Sequence, residues 1–290
     1  MFERIGIIAK YADQEVQQAL AATLAVLGSR NIDIAIDQNC ATVTSDSNVR
    51  AVSEEEVVKD RDLVIAIGGD GTLLRSAMLA FPGKASVLGV NLGRLGFLTD
   101  LTPEHVPETL NAILDGNYTS EERCVLRAEI IRDGTVVDYA HGLNDIVIQK
   151  WDSARLIAFD TYVDGRFVLS QRSDGMIVST PTGSTAYSLS GGGPILHPHL
   201  SAFVLVPICP HSLTNRPIVL SDTVTIEINI GLEYAEESRV TCDGAAMAAI
   251  QRGDSIRITR HQQTVHLIHP AGHEHFANLR AKLDWGRALC

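Results

Sequence analysis

At 290 residues, with 45% hydrophobic and 20% charged side chains, the chain has the composition of a globular protein of one large or two medium domains. Its net charge of −11, without a basic run or an aromatic-basic stripe, excludes nucleic acid and anionic membrane as natural partners. The longest apolar runs fall far below the roughly 18 residues of a membrane span.

The start, Met1-Phe2-Glu3-Arg4, leads without a signal-peptide design into Ile5-Gly6-Ile7-Ile8-Ala9, which reads as a strand. Val16, Leu20, Thr23, Leu24 and Leu27 then fall on one helical face, with Gly28 as its stop. Residues 32–36 read as a second strand. Residues 38–56 are rich in Asx, Ser and Glu and carry no core pattern, which predicts a loop or insertion. Leu63-Val64-Ile65-Ala66-Ile67 lacks polar alternation and predicts a strand buried on both faces, as in a parallel sheet. A glycine turn follows, then a helix through Leu73, Leu74, Ala77 and Met78, a strand at 87–90, and a helix over 103–114 with Pro103 in its first turn. This βαβ series predicts a doubly wound, Rossmann-like parallel sheet over residues 1–117.

From residue 118 the pattern changes. Short alternating segments are separated by the pairs Asp133-Gly134, Asp164-Gly165, Asp174-Gly175 and Asp243-Gly244, and segments 224–230, 256–258 and 265–268 continue the pattern. Such spacing predicts an antiparallel, β-sandwich-like domain over residues 118–273. The tail, 274–290, reads as a helix with Phe276, Leu279 and Leu283 on one side, able to pack back on the first domain. The five cysteines (Cys40, Cys124, Cys209, Cys242 and Cys290) are scattered, odd in number and without metal-type pairing, which fits a reducing cytoplasm.

The densest chemical signal is Gly68-Gly69-Asp70-Gly71-Thr72, at the carboxyl end of the buried strand, where open α/β sheets bind ligands. Glycine N–H groups can cradle phosphate, but a carboxylate among them would repel it. Asp70 makes sense there if it takes a proton from a hydroxyl that attacks a phosphoryl group, or if it holds a metal. An ordinary strand-to-helix turn with Asp70 near a helix start accounts for the spacing equally well.

A second dense run is Ser179-Thr180-Pro181-Thr182-Gly183-Ser184-Thr185-Ala186-Tyr187-Ser188-Leu189-Ser190-Gly191-Gly192-Gly193-Pro194. Its hydroxyls crowd an expected helix start, where free N–H groups favour anions, and Tyr187 offers a flat face to a base or ribose. The plainer account is a capped helix. Asn144-Asp145 reads first as a turn, and otherwise as a fork onto the vicinal hydroxyls of a ribose. Gln171-Arg172-Ser173-Asp174-Gly175 is also a turn first, with Arg172 as a phosphate partner and Asp174 as an acceptor for an amide or amino group.

Other motifs are missing. There is no G-x-x-x-x-G-K-[ST] loop and no G-x-S-x-G elbow, and Gly89, Gly93 and Gly96 lack dinucleotide-fingerprint spacing. His197-Pro198-His199 and His273-Glu274-His275 have no cysteine or third ligand nearby in sequence and read as ordinary surface or packing histidines.

Together, these motifs resemble the NAD kinase family. The resemblance rests on Gly68-Gly69-Asp70-Gly71-Thr72, the run Gly89-Val90-Asn91-Leu92-Gly93-Arg94-Leu95-Gly96-Phe97-Leu98, Asn144-Asp145, Ser173-Asp174-Gly175 and Thr180-Pro181-Thr182-Gly183-Ser184-Thr185-Ala186-Tyr187. It runs through nearly the whole chain, and the Thr-Gly-Ser-Thr-Ala-Tyr block is its most specific part. It implies an α/β domain followed by a β-rich domain. It also implies transfer of a phosphoryl group from ATP, or polyphosphate in some members, to the 2′-hydroxyl of the adenosine ribose of NAD, with a divalent metal, Mg²⁺. Asp70 would be the general base, and Asn144 and Asp145 would grip the ribose, Asp145 standing where many members have glutamate. Asp174 would read an amide or amine, with Arg172 nearby. Thr182 and Thr185, Ala186, Tyr187, Ser188, Leu189 and Ser190 would line the dinucleotide pocket, and Arg75 and Arg155 would approach its phosphates. Related bacterial sequences often carry glutamine where Ala245 stands, which leaves that position its backbone alone. The resemblance further implies a cytoplasmic homodimer or homotetramer. The competing readings are a lipid or sugar kinase, of which the lipid kinase should show an exposed apolar or basic membrane-facing patch, and a non-catalytic NAD(H)-binding regulator, which would gain nothing from Asp70.

Overall fold

The computed structural model describes residues 2–10, 14–43, 49–92, 96–99, 101–151, 155–232 and 235–285. The chain divides into two compact units, Met1–Glu122 with Val265–Cys290, and Arg123–Thr264. The first opens with strands β1 (Arg4–Ala9), β2 (Asp33–Asp37), β3 (Val49–Val52), β4 (Leu63–Ile67), β5 (Ser86–Val90) and β6 (Tyr118–Arg123). Helices α1 (Gln14–Gly28), α2 (Glu54–Val57), α3 (Asp70–Ala80) and α4 (Val106–Leu114) run between them. The second unit carries β7 (Leu126–Arg132), β8 (Thr135–Gly142), β9 (Asp145–Lys150), β10 (Ile157–Val163), β11 (Arg166–Ser173) and β12 (Gly175–Ser179). After the short helix α5 (Tyr187–Ser190) come β13 (Ala202–Ile208), β14 (Ile218–Ser221), β15 (Ile226–Ile230), β16 (Ser238–Cys242), β17 (Ala245–Ala246) and β18 (Ser255–Arg260). The chain then returns to the first unit with β19 (Val265–Pro270) and α6 (His275–Leu283).

Among the described residues the first unit holds one sheet in the order β3-β2-β1-β4-β5-β19-β6, parallel from β3 through β19. Every residue of β4 is buried, as an apolar run without alternation requires of a strand covered on both faces. Ile5, Ile7, Ile65 and Ile67 from the strands meet Leu20 and Leu27 of α1 and Leu110 and Ile113 of α4 in one core. The sheet order reverses direction from β1, so the carboxyl ends of β1 and β4 flank a switch point.

The second unit stacks two antiparallel sheets, β11-β10-β15-β18-β7-β8 and β14-β13-β12-β9-β16-β17, around a core that includes Phe159, Phe203, Ile146, Met176 and Ile256. Alternating burial along β7, β10 and β15 is what a sheet with one covered face demands.

Several expectations are corrected. Segment 265–268 belongs to the parallel sheet, where Leu267 and Ile268 pair with Val87 and Leu88 of β5, and not to the sandwich. Four or five apolar residues look alike in either sheet, so the sequence had no means of separating them. Residues 38–56 are not merely a loop: a 3-10 turn Gln38–Val43, the edge strand β3 and α2 occupy them, and 44–48 lie outside the described residues. As an edge strand, β3 buries little and so shows no core pattern. Asp133-Gly134, Asp164-Gly165 and Asp243-Gly244 are two-residue hairpin turns with positive φ at both positions. Asp174-Gly175 is instead the crossing from β11 in one sheet to β12 in the other. In the tail, α6 buries Leu279 while Phe276 is exposed, and the segment 286–290 lies outside the described residues.

Candidate active site

The chain leaves β4 through Gly68 and Gly69 and turns into α3, with Gly69 as the N-cap and Asp70 in the first turn. The Asp70 carboxylate does not cap its own helix. It accepts the Phe97 N–H on Oδ2 at 2.8 Å, and the Leu98 N–H at 3.1 Å and the Thr99 hydroxyl at 3.2 Å on Oδ1. A carboxylate offers about four lone-pair directions, so among the described residues one direction on Oδ2 is left open. A Cβ on Gly96 would collide with Asp70 Oδ1 and Thr99 Oγ1, which is why the chain needs glycine where it wraps the carboxylate. Gly93, Arg94 and Leu95 of the same run lie outside the described residues.

Beside this turn is a cavity of about 510 Å³ at the carboxyl ends of β1, β2 and β4, lined among others by Lys10, Asp37, Glu54, Gly69, Gly71 and Arg75. No atom lies within 4 Å of where a Cβ would stand on Gly69 or Gly71, so backbone there is open to a ligand. Arg75, expected near phosphates, faces this cavity but is ion-paired with Glu54. Burial pushes the Glu54 carboxyl up against the opposing pull of Arg75. Open backbone beside Asp37 and Glu54 fits a hard divalent cation, which takes carboxylate and phosphate oxygens. A larger concavity, about 1040 Å³, lies at the amino ends of β1 and β2, opposite the edge at which open α/β sheets bind their ligands.

In the second unit the structure draws three separate segments together around Asn144 and Asp145. The Asp145–Ser179 register places the start of β9 beside the end of β12. The Thr180 N–H donates to the Asn144 carbonyl at 2.9 Å and the Thr180 hydroxyl to the Leu143 carbonyl at 2.6 Å. A Cβ on Gly183 would strike the Asn144 carbonyl, so only glycine lets the loop lie this close. From the other side comes Asp243, in the β16–β17 turn. Its carboxylate accepts the N–H groups of Leu143 (2.7 Å), Asn144 (2.9 Å) and Asp145 (3.0 Å). Burial, and then the Asp243 charge, push the Asp145 carboxyl up to about 7. Burial also raises Asp243, against the pull of its three N–H donors. Two buried oxygens of this unit, Asn144 Oδ1 in this cluster and Ser188 Oγ beside Gly193, have no hydrogen-bond partner among the described residues. Such atoms cost roughly 1–3 kcal/mol each unless a ligand satisfies them.

The hydroxyl-rich run is no long helix. It forms a 3-10 turn, Gly183–Thr185, and the single turn α5. Most of its hydroxyls are spent internally: Ser184 Oγ donates to the Pro181 carbonyl, Thr185 Oγ1 to the Thr182 carbonyl, and Thr182 Oγ1 accepts from buried Arg123. Thr185, Ala186 and Leu189 are half-buried, and Tyr187 and Ser190 are exposed. Ala245 is exposed, pairing in β17 with Cys242. Asp174 ion-pairs with Lys150 at 2.7 Å. It stands at the opposite end of the β9–β12 pair from Asp145, roughly 16 Å away by strand rise. Arg172 and Arg155 are exposed, and Arg172 lies near Asp174 at the end of β11. Thr99, Arg123 and Asp243 escaped the sequence reading. Asp243 was visible only as half of a turn pair, and nothing local pointed to a target 98 residues away.

Residues 5–118 match the family model for the ATP-NAD kinase N-terminal domain and residues 143–270 that for the ATP-NAD kinase C-terminal domain. The chain is 44% identical over 288 residues to the NAD kinase of Chromohalobacter salexigens, covering 99% of this chain and 98% of that one. It is 44% identical over 285 residues to the NAD kinase of Aromatoleum aromaticum, covering 98% and 94%. Among solved structures, yeast NADH kinase complexed with NADH matches with a TM-score of 0.91 at 25% identity, over 99% of this chain and 89% of that one. An NAD kinase from Archaeoglobus fulgidus in complex with ATP matches with a TM-score of 0.74 at 26% identity, over 97% and 98%.

Proposed function

The chain belongs to the NAD kinase family and phosphorylates NAD to NADP, and from that premise we propose the parts its residues play. The 2′-oxygen of the adenosine ribose forms a bond to the terminal phosphorus of ATP as the bond to the ADP oxygen breaks, and the hydroxyl proton passes to Asp70. The observation that carries this role is the fixed Asp70 carboxylate, held by three donors, with its open lone pair on Oδ2. In a loose phosphoryl-transfer transition state the acceptor's position counts for more than its strength.

Gly69 and Gly71 give the phosphates an unobstructed approach to backbone. Mg²⁺ supplies charge neutralisation on the phosphates when bound, and Glu54 and Asp37 on the cavity wall would hold it together with phosphate oxygens. Asn144 and Asp145 take the ribose hydroxyls, which supply the donor that Asn144 Oδ1 lacks, while Ser188 supports the pocket segment from its buried side. Thr182, Thr185, Ala186, Tyr187, Leu189 and Ser190 line that pocket, and Ala245 offers backbone only. Arg75 and Arg155 are the phosphate partners. The span between Asp145 and Asp174 suits Asp174 and Arg172 to another part of the dinucleotide or to the pocket of a second copy. Exposed Val136, Val137 and Tyr139 on the edge strand β8 support assembly as a homodimer or homotetramer. The free described cysteines support a cytoplasmic setting. No helix among the described residues is long and apolar enough to cross a membrane.

The test is a matrix of ATP, other nucleoside triphosphates and polyphosphate against NAD and NADH, with and without Mg²⁺. Formation of NADP from ATP and NAD, dependent on Mg²⁺, is the expected result. Absence of phosphorylated dinucleotide with every donor would overturn the reading.

A further inference from the structure

The carboxyl edge of the parallel sheet carries a second constellation that the phosphoryl-transfer reading does not use. His269 lies in β19, one residue beyond the Ile268–Leu88 pair, and is buried. A tight turn follows, in which the His273 N–H donates to the Pro270 carbonyl at 3.1 Å and Gly272 takes a positive φ of 84°. That turn folds His273 back beside His269, with the two rings stacked at 4.1 Å between centroids and 19° between planes. The adjacent strand β6 contributes Glu121, whose Oε2 stands 3.3 Å from His269 Nε2. The ligand-capable atoms of Glu121, His269 and His273 all lie within 4.8 Å of one another.

We propose that Glu121, His269 and His273 form a binding site for a borderline divalent ion, Zn²⁺. Two imidazoles and one carboxylate are the donors Zn²⁺ takes, while Mg²⁺ prefers oxygen alone. The two histidines have the H-x₃-H spacing found in zinc sites. Donors about 2.1 Å from one tetrahedral ion stand about 3.4 Å apart, the separation that His269 and Glu121 already show. The pair is well shielded, with side-chain exposures of 3% and 13%, so the ion would meet a desolvated carboxylate in a water-poor setting. Stacked rings cannot both aim a nitrogen at one ion. Binding therefore turns the half-buried His273 ring out of the stack. Three protein ligands leave a fourth position to water. The ion clasps β6, β19 and the turn into α6, all within the first unit.

The experiment uses the full chain after chelator treatment, with Zn²⁺ followed by equilibrium dialysis and calorimetry and Co²⁺ followed by visible absorption. One Zn²⁺ per chain, displacing Co²⁺ and raising the melting temperature, is expected. His273→Ala, a half-buried turn position, keeps the fold by circular dichroism and weakens Zn²⁺ at least about 10-fold, and Glu121→Gln does the same. His275→Ala and Asp70→Asn keep full Zn²⁺ affinity, which separates this site from the phosphoryl-transfer residues. Failure of the wild-type chain to bind Zn²⁺, or binding that both His273→Ala and Glu121→Gln leave unchanged, overturns the proposal.

Discussion

Asp70 in the first unit and Asp145 in the second are both carboxylates at strand ends, yet their surroundings are opposite. Asp70 meets two backbone N–H groups and a hydroxyl from one loop. Asp145 is buried next to a second carboxylate, Asp243, which claims the backbone donors of the 143–145 segment. Surrounding donors fix a carboxylate in place for a step that depends on position. Burial beside a like charge favours a proton, so Asp145 titrates near neutrality. On the proposed roles, one carboxylate is held still to act as a base, and the other would couple ribose recognition to pH.

Asp70→Asn tests the comparison most severely. It keeps the shape but removes the proton acceptor, so kcat should fall about 10²–10⁴-fold while NAD binding by calorimetry is retained. Undiminished turnover would remove Asp70 from its role. Asp243→Ala should come next, because it strips the acceptor from three backbone N–H groups at once. A loss of about 2–4 kcal/mol in urea unfolding is expected, together with weaker NAD binding. A variant as stable as the wild type would show that Asp243 does not hold the 143–145 segment.

Asn144→Ala should raise KM for NAD about 10-fold, the cost of one or two hydrogen bonds, with an unchanged circular dichroism spectrum. If KM does not move, the ribose fork lies elsewhere. The pH dependence follows from Asp145. Its folded value of about 7 exceeds the ordinary aspartate value of about 3.9, so between these the native state holds the extra proton. Stability therefore falls as pH rises from about 4 to 7 and levels off above that. NAD affinity should do the reverse, rising by up to about tenfold per pH unit below 7 as the ionised carboxylate becomes available to accept the ribose hydroxyls. Asp145→Asn should flatten the slope in NAD affinity and reduce the slope in stability to the part that buried Asp243 contributes in the same direction; an unchanged affinity slope would remove Asp145 from its role. Thr99→Val carries the smallest effect. It removes one of three donors from Asp70 and should lower kcat about 5-fold, with KM for NAD unchanged.

How much of this was legible in the chain depends on range. The β4 strand, the glycine turn and the hairpin turns at Asp133, Asp164 and Asp243 were readable because apolar runs and positive-φ residue pairs act on their immediate neighbours. The motifs also fixed the family, since Gly68 through Thr72 and Thr180 through Tyr187 are contiguous. What lay beyond reach were partnerships across the chain. Segment 265–268 carries too few residues to declare a parallel or antiparallel partner, and β5 settles it.

The sequence by itself determined the family and located the Asp70 turn and the hydroxyl-rich segment 179–194, because both are written in short runs of glycine, hydroxyl and acidic residues. Only the tertiary structure decided what those residues touch. Asp243 reaches Asp145 across 98 positions, and Glu121 meets His269 from a strand far earlier in the chain. Hydrogen bonds and charge interactions act over a few ångströms of space, whatever the distance along the chain. A residue's type can therefore be read before folding, but its proton and its ligand follow from the neighbours that folding supplies.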